Sequence, residues 1–276
     1  MKRIQRTLLA AFLLAAGAAF ADGIAFITNL KGEVAVDGVP RPTLLAELSR
    51  GQKLTIGRDS QASVMYTATG KEYVLRGPAD YVVEAAAISG SIAPITRDTE
   101  WRASSKALVQ VAQSSAASVR MRSAAPPKAD MTPKMLFPDG GTVSTLQPTF
   151  RWDAAEPKQR AEFTLLVVGE DKPVHQGKAT GGSYRLPAKL KPETEYAWTV
   201  TSAGNEIGAG RFRTLSSEAQ QRVEQRRPSD RAEFSDRVLF ALMLQEMGAK
   251  QEARESWARL AQERTDLPEL GALARY

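Results

Sequence analysis

From Ile24 to Ile95, and again from Met135 to Leu215, the apolar residues recur at alternate positions in short runs, and glycine or other turn residues cut each run before it grows long. A period of two sends successive side chains to opposite faces of a strand, so this pattern specifies sheets with one face turned inward. Gly32-Glu33-Val34-Ala35-Val36-Asp37-Gly38 reads as one strand closed by a turn, and Arg50-Gly51-Gln52-Lys53-Leu54-Thr55-Ile56-Gly57 repeats the form. Ala62, Val64 and Tyr66 share the face of a further strand, Thr69-Gly70-Lys71 turns the chain, and Tyr73-Val74-Leu75 returns it as the second arm of a hairpin. The chain has no cysteine, which excludes a disulfide framework, a thiolate metal site, a cysteine nucleophile and a lipid-modified cysteine. Stability therefore rests on packed cores.

Changes of pattern divide the chain. Lys2, Arg3 and Arg6 precede an uncharged run from Thr7 to Phe20 that ends in Ala19-Phe20-Ala21, the grammar of a cleaved secretory signal over residues 1–21. Asp22 and Gly23 break the run before it reaches the ~20 apolar residues that a membrane-spanning helix needs. The three basic residues of the signal carry half of the formal +6, so the mature chain is left with an ordinary +3. Nucleic-acid binding, which calls for a clustered basic stripe, is not expected. Residues 22–95 form the first β-segment. Over 96–134 the periodicity fades into serine, alanine and proline, as in Ser114-Ser115-Ala116-Ala117-Ser118 and Ala124-Ala125-Pro126-Pro127, which is linker composition. Within it Leu108, Val109 and Val111 suggest one short element, with Trp101 near enough in sequence to pin it.

Strand signals return over 135–215, at Thr149-Phe150-Arg151-Trp152, from Phe163 to Val168, at Val174-His175, from Ser183 to Leu186, from Tyr196 to Thr201 and from Gly210 to Thr214. That spacing predicts a seven-stranded sandwich. In Leu190-Lys191-Pro192-Glu193-Thr194-Glu195-Tyr196-Ala197-Trp198-Thr199-Val200 the apolar residues alternate toward one core, and the tyrosine stands where its hydroxyl meets backbone groups at a sandwich corner. Over 216–276 the period changes. Glu218 to Arg231 mixes Glu, Gln and Arg as a solvated connecting helix does, and Pro228-Ser229 is a helix start signal. Phe234, Val238, Ala241, Leu242 and Met247 then recur at helical spacing before Gly248, and Ala253, Trp257, Leu260 and Ala261 after it. Gly248 is the joint of a helical hairpin.

On these residues three resemblances stand. Gly32 to Val36, Gly51 to Gly57, Ser60 to Met65, Gly70, and Leu75 with Tyr81-Val82-Val83 resemble the FecR-like domain. This implies a ligand- or protein-binding β-module of the bacterial envelope. Familiar signalling members place a cytoplasmic helical segment and a membrane helix ahead of that domain; here only a signal peptide precedes it, and sigma-factor control does not carry over. The run from Leu190 to Val200, with Trp152 as the early core tryptophan and Phe212-Arg213-Thr214 as the final strand, is similar to fibronectin type III domains. Ala241, Leu244, Met247-Gly248, Glu252-Ala253 and Trp257 resemble a single tetratricopeptide repeat, from whose pattern Arg237, Leu260 and Thr265 depart. One such unit leaves an apolar face without a partner. It must dock on the sandwich, pair with a second copy or receive another protein.

Residues for chemistry are few. His175 is the only histidine, and between Val174 and Gln176, beside the turn Glu170-Asp171-Lys172-Pro173, it reads as a solvent-facing strand residue. No Ser-x-x-Lys, Gly-x-Ser-x-Gly or Gly-x-x-x-x-Gly-Lys-Ser/Thr motif occurs. Asp153, Glu156 and Glu162 are the nearest thing to a glycosidase pair, but nothing in their spacing fixes the geometry such a pair requires. Trp152, Tyr196, Trp198 and Trp257 fall at core positions, which leaves Trp101 as the tryptophan open to ligand contact. The expectation is a mainly β protein with a short helical tail, without catalytic, cofactor or metal residues. Its place is the periplasm and its partner another envelope protein, with peptidoglycan or another glycan as the alternative and envelope signalling as a second.

Overall fold

The computed structural model describes residues 23–99, 136–229 and 231–275. The signal segment, Trp101 and the apolar group Leu108, Val109 and Val111 lie outside them. The described chain is mainly β, in two units, with helices at the C-terminal end.

The first unit contains β1 (Ala25–Lys31), β2 (Val34–Val36), β3 (Glu47–Leu48), β4 (Lys53–Ile56), β5 (Gln61–Tyr66), β6 (Lys71–Arg76), β7 (Ala79–Val83), β8 (Ile88–Gly90) and β9 (Ile95–Asp98). They form two antiparallel sheets, ordered β3-β1-β5-β6-β9 and β2-β4-β7-β8. The hairpin read from the sequence is β5–β6, paired from Gln61↔Arg76 to Met65↔Glu72, with Gly70 at φ 69° in its turn. The two sheets cross closely at Gly77, where an added Cβ would lie 1.8 Å from the Gly57 carbonyl oxygen.

Two features depart from the sequence reading. Ala62, Val64 and Tyr66 do share a face, but Ser63 and Met65 on the opposite face are buried as well, and Ala25 to Thr28 on β1 are buried without alternation. A sheet with both faces covered shows continuous burial of this kind. The linker expected from Thr96 starts later, because Ile95–Asp98 is an edge strand that pairs Tyr73↔Thr96 and Val74↔Ile95. Its residues carry no apolar alternation, and what secures it is Arg97, which reaches across to Glu72 on β6.

The cover on the second face is the helical region: α1 (Ser217–Arg226), α2 (Phe234–Glu246), α3 (Lys250–Glu263) and α4 (Pro268–Leu273). Gly248 joins α2 to α3 at φ 79°, as its place in the sequence predicts. Helix α2 begins later than Pro228-Ser229 indicates, with Glu233 at its N-cap. Every residue from Val238 to Leu244 is buried, so α2 has no solvent face over those two turns. It is the central helix, and its side chains join those of β1, β5, α1, α3 and α4 in one apolar cluster. The tail's apolar face therefore docks on the first β-unit, which was none of the three partners the sequence suggested. The sheet needed that cover as much as the helices needed a sheet.

Polar contacts fix the docking. Glu72, fully buried, accepts from Thr28 Oγ1 at 2.6 Å, Arg97 Nε at 3.0 Å and Ser235 Oγ at 3.3 Å, while Arg97 Nη1 donates to Asp236 Oδ2 at 2.8 Å. At the other end Glu269 accepts from the Leu44 N–H at 2.8 Å, and Arg264 donates to Asn29 Oδ1 at 2.8 Å and to the Leu30 carbonyl.

The second unit holds β10 (Thr142–Val143), β11 (Thr149–Arg151), β12 (Arg160–Val167), β13 (His175–Thr180), β14 (Ser183–Arg185), β15 (Glu195–Ser202) and β16 (Asn205–Thr214). Their orders are β10-β16-β15-β12-β13 and β11-β14. Phe150 packs 4.5 Å from Phe163 and 5.4 Å from Trp198, centroid to centroid, in a core separate from the first. The Tyr196 hydroxyl accepts from the Lys191 N–H at 2.9 Å, which is the corner contact expected of it.

This unit meets the helices through polar groups. The Thr142 N–H donates to the Gly248 carbonyl at 3.1 Å, and the Ser144 N–H and Oγ each donate to Glu252 at 2.7 Å. The Asp139 N–H donates to Gln251 Oε1 at 3.1 Å, and Arg151 pairs with Glu255. The α2–α3 hairpin thus bridges both β-units, one through an apolar core and the other through hydrogen bonds.

Candidate binding surface

With one side of the hairpin committed to the first β-unit, its outward side is the surface left to consider. Helix α1 ends at Arg227, whose backbone is extended at φ −62° and ψ 116°. Pro228 follows, and a residue before proline is pushed out of the helical region by the ring's Cδ. The chain therefore leaves the helix there and crosses over α2, which sets the Arg227 guanidinium 5.6 Å from the Phe240 ring centroid. Arg237 and Phe240 stand one turn apart on α2, and Ser256, Arg259 and Leu260 share a face of α3.

Together with Arg227, Pro228 and Ser229 they line a depression of about 350 Å³. A second, of about 260 Å³, lies across Arg227 and Phe240, toward Leu239, Met243, Asp236 and Thr99. The groove is thus apolar in its floor and arginine-rich on its rim. Arg237 is gripped by Glu263, Nη2 to Oε1 at 2.7 Å, which raises its pKa above the ordinary guanidinium range and lowers that of the Glu263 carboxyl. Arg227 Nη2 donates to Glu224 Oε1 at 2.9 Å, and Arg259 Nη2 to Ser256 Oγ at 3.3 Å. Glu224 and Glu263 hold their arginines from outside the lining of the larger depression. Behind it Glu252 is half-buried; loss of hydration raises its pKa, against the opposing pull of the Ser144 hydrogen bonds and the Arg227 charge.

The other residues singled out by sequence do not converge. His175 Nε2 lies 2.6 Å from the Tyr184 hydroxyl, and its ring faces Phe163 at 6.4 Å, a packing role on β13. Asp153 and Glu156 are exposed in the loop between β11 and β12, and Glu162 is exposed on β12. Trp152, Trp198 and Trp257 are inside the cores at 3%, 1% and 0% exposure, so among the described residues no tryptophan offers a face to a sugar. Among the described residues no helix is long and apolar enough to cross a membrane, and no group of His, Asp and Glu is arranged to hold a metal ion.

Sequence reasoning missed the groove. In the sequence the arginines up to Arg231 read as a solvated face, and Arg237 reads only as a departure from the repeat pattern. The one available signal was Arg227-Pro228, a helix end that turns a charged residue back over an apolar helix. No protein-family model matches the chain, and no curated protein matches it.

Proposed function

We propose that this chain is a non-enzymatic scaffold of the bacterial envelope, exported by its N-terminal signal to the periplasm, which binds another envelope protein. The observation that carries the reading is the groove on the outward side of α1–α3, held in place by a hairpin anchored to both β-units. A binding surface keeps its affinity when its groups are preorganised, because little order is then lost on association. The FecR-like, fibronectin-like and tetratricopeptide-like patterns in the sequence support the same reading, since each belongs to modules that bind. Burial of the described tryptophans favours a protein partner over a glycan.

In-cell crosslinking of the full chain, followed by mass spectrometry, tests the proposal. The expected result is a defined envelope protein enriched over an exported control of unrelated fold. Recovery of wall fragments alone would hand the function to glycan binding, and recovery of neither would remove the scaffold reading.

A further inference from the structure

We propose that the groove between the Arg227 turn, α2 and α3 is a docking site for an acidic peptide, with carboxylates of the partner held by Arg227 and Arg259. The inference rests on the scaffold reading and gives the partner its chemistry.

Three guanidiniums from three separate elements border one depression of about 350 Å³, and among the described residues no carboxylate lines it. Arginine suits this task because its planar fork of N–H donors matches the two oxygens of a carboxylate. Arg259 is exposed and forms no ion pair among the described residues; its contact is with the Ser256 hydroxyl. Arg227 spends one Nη on Glu224 and keeps further donors on a group that carries five, whereas Arg237 is held through both Nη groups by Glu263, its Nε buried, and borders the depression as a closed ion pair. The floor between them is Phe240 and Leu260, both buried to more than nine-tenths, and the Arg227 cation lies over the Phe240 ring. A peptide that places an apolar side chain between acidic ones meets both halves of this surface. Its charge opposes that of the rim, and its apolar residue covers the floor. A basic or neutral peptide meets only the floor.

Fluorescence polarisation with the full chain and labelled pentapeptides tests this. The probes are Glu-Glu-Leu-Glu-Glu with a free or an amidated C-terminus, and Gln-Gln-Leu-Gln-Gln in both forms. The acidic peptide should bind, and weaken as salt is raised through physiological strength. Arg259→Gln, on an exposed position, should reduce affinity about tenfold or more, the loss of one charge-assisted hydrogen-bond pair. The double substitution Arg227→Gln, Arg259→Gln should reduce it further, with the thermal midpoint as a check on folding. Arg254→Gln, an equal change of charge on α3 away from the lining, should leave binding unaltered.

Binding of the amidated acidic peptide shows that side-chain carboxylates are read. Binding of either form of Gln-Gln-Leu-Gln-Gln as tight as that of the acidic peptide shows that side-chain charge is not read, and overturns the proposal. No binding of any carboxylate-bearing peptide overturns the proposal, and so does an equal loss in Arg254→Gln and Arg259→Gln. If a protein is still captured in cells while no peptide binds, the scaffold reading stands and the groove is not its docking site.

Discussion

Replacing Arg97 with methionine should destabilise the helical region, and the structure sets the size of the effect. Glu72 is fully buried, and its donors are Thr28, Ser235 and the Arg97 guanidinium. Methionine keeps most of the stem but leaves a buried carboxylate facing two hydroxyls. Removing one partner of a buried ion pair costs about 3–5 kcal/mol, because the other charge is left without compensation. The Arg97 side chain is 32% exposed, so water reaches the vacated site and the lower end, about 3 kcal/mol, is expected. With urea slopes of about 1–3 kcal/mol per molar, the unfolding midpoint followed at 222 nm should fall by roughly 1–3 M. Helix α2 should lose amide protection first, since Ser235 and Asp236 in its first turn lose the same guanidinium. Adding Glu72→Gln removes the stranded charge and should recover about 1 kcal/mol or more of the loss. A single variant within about 0.5 kcal/mol of the parent, or a double variant no better than the single, would refute the reasoning.

Deleting Ser229 to Tyr276 should leave the first β-unit insoluble or molten rather than folded, because it uncovers the second face of the β3-β1-β5-β6-β9 sheet; a monomeric, cooperatively unfolding product on size exclusion and calorimetry would contradict this. Glu252→Gln should change the pH profile of stability. Burial raises the Glu252 pKa in the folded state, so its contribution is most favourable below the unfolded value and declines as pH rises through the folded one. The thermal midpoint of the glutamine variant relative to the parent should therefore be higher at pH 7 than at pH 4, and the reverse ordering would be inconsistent with a burial penalty. Gly210→Ala should destabilise the sandwich by about 1–3 kcal/mol, read by thermal melting. The new Cβ falls 2.6 Å from the Pro138 oxygen and 2.7 Å from Trp198 Nε1, which are bonded to each other at 2.7 Å. Gly271→Ala in α4 meets nothing within 4 Å and should raise stability by about 0.5–1 kcal/mol, checked by the same melt.

Local pattern was enough for the elements. Alternation placed the β5–β6 hairpin and the strands from Thr149 to Thr214, and the helical period around Gly248 placed α2 and α3, because these signals depend on which side of a strand or helix meets water. Tyr196 and Trp198 were legible as core residues for the same reason. The edge strand at Ile95–Asp98 was not, since it presents no apolar face and is held by a pairing partner and one arginine.

What tertiary structure alone decided is which surface covers which. The unbroken apolar run from Val238 to Leu244, and the buried Ser63 and Met65 between Ala62, Val64 and Tyr66, are two halves of one fact: a helix without a solvent face and a sheet without one, each supplying the other's cover. Periodicity records that a face is buried and carries no address for its partner, so the sequence left the tail without a dock. The groove follows from the same assembly. Arg227, Arg237 and Arg259 are spread over three elements, and only the packing of α1, α2 and α3 brings them around one depression.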